Sequence, residues 1–202
     1  MLGRQFNYRG DTEHYDDLAN ADLARVIDRQ RGLPVALGIL YIATARAQGW
    51  PAAGLNFPGH FLIALGEGTE RLILDPFERG AICDTERLHS LLRAFEGDSA
   101  ELRPAHSRPV DDRDVVLRLE NNIKLRLVQA GETEKALALI ERMLLLAPEY
   151  SVLWDELAQL NGTLGRMTAA IAAAETAIGH AASAAQREHA ASLLRRFKAR
   201  LN

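Results

Sequence analysis

The spacing of apolar positions changes along the chain, and each change marks a different kind of structure. Leu23, Val26 and Ile27 share one face at helical spacing. Asn20 is expected as the N-cap of that helix, with Asp22 in its first turn, and Gly32 as the residue that ends it. Pro34 then opens a second helical run, Val35-Ala-Leu-Gly-Ile-Leu-Tyr-Ile-Ala-Thr-Ala, with proline in a first turn where no N–H partner is lost. This run is apolar nearly all round, which predicts the buried central helix of a first domain.

From Pro51 the helical period gives way to short runs bounded by turn signals: Ala53 to Phe57, Pro58-Gly59, His60 to Leu65, Gly66 to Gly68, and Arg71 to Asp75 before Pro76. Two or three antiparallel strands are predicted. Phe61, Ile63 and Leu65 alternate with Leu62 and Ala64, and Leu72-Ile73-Leu74 is continuous, so both faces of the sheet are expected to be covered. A helix follows from about Thr85 to Ala94. Gly97 to Pro109 carries glycine, serine and two prolines with little hydrophobicity, which marks a boundary. The first domain is therefore read as residues 1–96, with a linker over 97–112.

Residues 113–202 are helical throughout and repeat themselves. Gly131 and Gly165, Ala136 and Ala170, and Glu120 and Trp154 are each 34 positions apart. Ile123 and Leu157 hold the apolar position of each first helix, the glycines allow the turns, and the alanines let paired helices approach closely. Pro148 ends the first unit. The pattern resembles the tetratricopeptide repeat, with units at about 117–150 and 151–184 and a final helix at 184–201. It departs from that repeat at Glu120, where tryptophan is usual, at Asn161, where an aromatic is usual, and at Ala182, where proline is usual. Two imperfect units are few for a self-standing stack, so closure by the last helix or by the first domain is expected. Trp154 is expected in the core.

Composition narrows the function classes. Of the 202 residues, 27 are acidic and 24 basic, a net charge of −3 that gives no electrostatic reason to approach nucleic acid or an anionic membrane. Arg195, Arg196, Lys198 and Arg200 read as favourable charges near a helix C-terminus. The single cysteine, Cys83, forms no internal disulfide and suits a reducing compartment, the cytoplasm. The start is polar, and the longest apolar stretch, Leu33 to Ala45, is too short to span a bilayer. His14, His89, His106, His180 and His189 lack metal-ligand spacing, so no metal is expected. Gly66-Glu-Gly-Thr precedes a strand and reads as a hairpin turn, not a phosphate loop. No cofactor is expected.

Three features remain, in order: Gly32-Leu33-Pro34 opening the buried helix, His60 at a strand start and Asp75 at a strand end. Transglutaminase-like and papain-like enzymes place a cysteine at the N-terminus of a buried helix, with a histidine and an aspartate on the adjoining strands. Arg31-Gly-Leu-Pro-Val-Ala-Leu, Asn56-Phe-Pro-Gly-His-Phe-Leu and Leu74-Asp-Pro-Phe further resemble the SirB family of bacterial proteins, which join such a core to tetratricopeptide repeats. The resemblance implies an α+β fold, a transglutaminase-like helix and antiparallel sheet followed by an all-α repeat. It also implies a helical segment before the core, ending where Met1 falls.

By the same resemblance, His60 and Asp75 match the family's histidine and aspartate, and Pro34 falls on the nucleophile position, which proline cannot fill. Cys83, in a turn after the aspartate, is expected to be inert. Arg31, Asn56, His60 and Asp75 are the candidate binding residues. Two readings of the pair stand side by side: a structural clamp that holds a turn, or a retained dyad in a vestigial cleft. The leading functional expectation is a non-catalytic protein that binds a partner protein through its helical repeat. The alternative is a hydrolase or acyltransferase using His60 as general base, oriented by Asp75.

Overall fold

The computed structural model describes residues 2–201, excepting the side chain of Thr69. Two compact units divide between Leu119 and Glu120.

The first unit opens with a short helix α1 (Leu2–Gln5) and a two-residue strand β1 (Arg9–Gly10). Helix α2 (Leu23–Arg29) begins two residues later than expected. Its N-cap is Asp22, whose carboxylate accepts from the amides of Ala24 and Arg25. Asn20 is fully buried, and its amide donates to the His14 carbonyl at 2.7 Å. The helix ends on Gln30 in the left-handed region, φ 56°, while Gly32 continues into strand β2 (Arg31–Gly32), which pairs parallel with β1. Gly32 is needed for proximity: a Cβ there would lie 2.8 Å from the Val26 side chain.

Helix α3 (Pro34–Ala47) carries proline in its first turn, as its sequence predicts, and buries six of its residues. Strands β3 (Ala52–Leu55), β4 (Ile63–Leu65), β5 (Leu72–Asp75) and β6 (Ala81–Ile82) follow. Strand β4 begins at Ile63, so His60 lies on the preceding turn instead of opening the strand. Gly59 bends the chain there with φ 66°, and the His60 amide donates to the Pro58 carbonyl at 2.8 Å.

Helix α4 (Thr85–Glu96) is capped by Asp84, whose carboxylate accepts from the Arg87 amide. The expected linker is structured. Its end forms strand β7 (Pro109–Val110), paired antiparallel with β3 through Gly54 and Leu55. The five-stranded sheet therefore has the order β6-β5-β4-β3-β7 and is antiparallel throughout. The first unit extends past both 96 and 112, because that edge strand and the start of helix α5 (Asp112–Gln129) belong to it.

Both sheet faces are used, as the strand pattern predicts. Leu55, Phe57, Leu62, Ala64 and Ile73 pack with Cys83 and with Leu88 and Leu92 of α4 on one side. Gly38 of α3 meets Phe61 and Ile63 on the other.

The second unit is helical: the remainder of α5, then α6 (Thr133–Leu146), α7 (Ser151–Thr163), α8 (Met167–His180) and α9 (Ala184–Leu201). Ala136 and Ala170 are fully buried, as close helix crossing requires. Asn161 is buried and donates to the Leu157 carbonyl at 3.0 Å. Beside it, the Phe197 ring of α9 lies where a Cβ on Gly162 would be 2.4 Å away, so the last helix closes the repeat. Trp154 departs from expectation. It is half-buried, and its indole Nε1 donates to the Pro148 carbonyl at 2.7 Å, fastening the turn between units.

Candidate functional site

His60 and Asp75 are far apart in sequence and joined by the sheet. Antiparallel pairing of Ile63 with Leu74 brings the turn before β4 alongside the end of β5. His60 Nε2 lies 2.9 Å from Asp75 Oδ2. The carboxylate is 1% exposed, the imidazole 21%.

Asp75 is saturated. Its Oδ1 accepts from the amides of Phe77, at 2.9 Å, and Glu78, at 3.3 Å, an Asx-turn that shapes the chain from 75 to 80. With those donors on Oδ1, Oδ2 is left to accept from His60 Nε2; in the tautomer that carries its proton there, Nδ1 holds the lone pair.

The histidine is held from behind as well. Arg118 of α5 donates to the carbonyl of His60 at 2.9 Å and to that of Phe57 at 3.4 Å, and its guanidinium lies 5.3 Å from the centre of the Phe61 ring. Burial lowers the pKa of Arg118 from the ordinary arginine range, and Tyr15 acts in the opposite sense. Phe77 stands edge-on to the imidazole, 6.5 Å between centres, and Tyr15 stands edge-on to Phe77 at 5.9 Å. The amide of Gly10 in β1 donates to the Phe77 carbonyl at 2.8 Å, tying the first parallel pair to the same turn.

Pro34 occupies the first position of α3, preceded by Leu33, which makes no side-chain capping bond. Gly38, one turn further on the same face, abuts Phe61. The helix start thus presents a pyrrolidine ring and no acidic, thiol or hydroxyl group. Cys83 lies just before the N-cap of α4, in the apolar cluster beneath the sheet. Burial pushes its thiol up to about 11, Asp75 and Asp84 add to the shift, and Arg87 opposes it.

The other two candidate residues stand apart from the pair. Arg31 is engaged with Glu13 at 3.1 Å, and Asn56 is exposed, its backbone amide donating to the Arg108 carbonyl. Tyr15, Phe77 and Arg118 were not legible as site residues. Tyr15 lies in the polar start, Phe77 follows the strand that ends at Asp75, and Arg118 falls in the first repeat unit.

Among the described residues, no cluster of three or more histidine, cysteine, aspartate or glutamate side chains could hold a metal ion. No helix among them is long and apolar enough to cross a membrane.

Comparison with known proteins agrees with this architecture. Residues 1–121 match the transglutaminase-like superfamily, and residues 123–195 match the tetratricopeptide repeat. A UPF0162 protein of Vibrio cholerae is 32% identical over 150 residues, 74% of this chain and 55% of that protein. A UPF0162 protein of Xylella fastidiosa is 31% identical over 73% of the chain and 53% of its own length. The chain thus spans about half the length of these curated relatives. Mouse F-box only protein 21 is 34% identical over 78 residues, 39% of this chain and 12% of that protein. No solved structure gives a match. With its α+β core matched over residues 1–121, more than half its length, the chain belongs to the transglutaminase-like superfamily.

Proposed function

We propose that this chain is a non-catalytic, SirB-type cytoplasmic protein that binds a protein partner through its helical repeat, with His60 and Asp75 retained as a clamp. The observation that carries this reading is the disposition of polar groups around α3 and β5. Pro34 stands at the helix start, and Asp75 spends both oxygens on two backbone amides and one imidazole nitrogen. A thioester intermediate needs an accessible thiolate beside the histidine. The one thiol is buried and pushed up to about 11. Tetratricopeptide repeats generally mediate protein–protein contact, which supports the binding role.

A second reading rests on one specific feature. The His60 ring is 21% exposed and is oriented by Asp75 through Nε2, so in the tautomer that leaves Nδ1 its lone pair it would act as a base toward water in a hydrolase. Hydrolysis of a p-nitrophenyl ester separates the two. The clamp reading expects turnover at the level of free imidazole, and a His60→Ala protein that melts several degrees lower. Turnover well above that level, abolished by His60→Ala in a protein of unchanged melting temperature, overturns it.

A further inference from the structure

Strands alternate their side chains, so Leu72 and Leu74 face away from Ile73 and Asp75. Ile63 and Leu65, their partners across β4, share that face. Together with α3 they floor a groove of about 420 Å³, within the range of about 300–1,000 Å³ usual for small-ligand sites. Trp50 and Ile82 form its apolar sides and are 55% and 63% exposed.

Its charged groups are all of one sign. Arg4 and Arg79 are the charged residues of the lining, with no carboxylate among it. Both are exposed, and among the described residues neither forms an ion pair or a side-chain hydrogen bond. Tyr41 adds a hydroxyl that is buried beside the Gly3 amide and makes no hydrogen bond of good geometry. Burial, together with the charge of Asp75, pushes that phenol up to about 12, so it remains a donor at neutral pH. On a chain of net charge −3, two exposed arginines outside any ion pair beside an apolar floor are a local inversion of sign.

We infer that this groove binds a small amphiphilic carboxylate of the fatty-acid type, its tail on Leu72, Leu74 and Ile82 and its carboxylate held by Arg4 and Arg79. A neutral apolar ligand would leave the cations unused, and a bare inorganic anion would leave the hydrophobic floor wet. The site does not use the His60–Asp75 pair, so it stands whether or not that pair is catalytic.

Decanoate at submicellar concentration is the probe, followed by Trp50 fluorescence in a Trp154→Phe background that removes the other indole. A saturable, one-site response is expected, with decanoate binding about tenfold or more tightly than decanol, the factor that one charge-assisted hydrogen bond provides. The Arg4→Gln/Arg79→Gln double variant should lose that preference while retaining its circular dichroism, and Leu74→Glu should abolish both ligands. Equal affinity for decanoate and decanol, a preference that survives the double variant, or no saturable response overturns the assignment. So does a stable dimer through this face, seen by sedimentation and unaffected by decanoate.

Discussion

Replacing Gly38 by alanine drives a methyl group into the ring of Phe61. The added Cβ would lie 2.2 Å from the nearest ring carbon, against about 3.4 Å for ordinary contact, so the ring must retreat by more than 1 Å. Phe61 is 2% exposed and has no slack in that direction, since its far edge already lies 2.9 Å from where a Cβ on Gly54 would be. Two effects oppose each other. Alanine gains about 1 kcal/mol of helix propensity over glycine, and overpacking a tight core costs about 1–3 kcal/mol. The contact is deep in the unit, so overpacking should win, by up to about 2 kcal/mol. Phe61→Leu should relieve the clash, and the double variant should be less destabilised than the sum of the singles by about 1 kcal/mol. Urea unfolding of the four proteins, with comparable m-values, measures this cycle. A Gly38→Ala protein more stable than the parent would refute the reasoning. Because Phe61 follows His60, the same variant should shift the His60 ring resonances.

Three further outcomes follow from other parts of the molecule. Native Cys83 should react with a thiol reagent at neutral pH about a hundredfold more slowly than the urea-unfolded chain, since its thiol is pushed up to about 11 from an ordinary 9.0; equal rates would show the thiol is accessible. Phe197→Ala should cost about 3–5 kcal/mol in unfolding of the helical unit, because the fully buried ring is removed from Gly162; a loss under 1 kcal/mol would mean α9 does not close the repeat. Asp155 is held above the ordinary carboxylate range by burial and by Glu156, with His189 opposing, so its charged form is disfavoured in the fold. Its contribution to stability is therefore complete below about pH 3.8 and declines as pH rises from there through its raised value. The melting-temperature difference between Asp155→Asn and the parent should grow in the variant's favour across that window, and a difference independent of pH would refute it.

How much of this was legible in the sequence depends on the range of the cause. Pro34 as a helix start, the close-packed Ala136 and Ala170 and the turns at Gly131 and Gly165 are local or periodic signals, and the structure has each of them. Strand β7 was read as linker because two residues carry no period, and its strand character comes only from the free edge of β3. The sequence places the N-cap of α2 at Asn20, whereas the structure gives that role to Asp22, two residues on. The buried slot that takes the Asn20 side chain decides it. The His60–Asp75 pair was legible through order along the chain. Its surroundings were not: Arg118 reaches it from 58 residues downstream, and Tyr15 and Phe77 meet only after β1 docks on the turn.

The saturation of Asp75 bears on what the pair signifies. A carboxylate that accepts from two amides and an imidazole, at 1% exposure, is costly to remove whatever the chemistry of the site, because the part-buried turn around it would lose three hydrogen bonds at about 0.5–1.5 kcal/mol each. Both members of the pair thus have a structural reason to be where they are, independent of any chemistry at the start of α3. A histidine and an aspartate at these spacings are therefore no proof of catalysis by themselves, because the turn they hold needs them in any case.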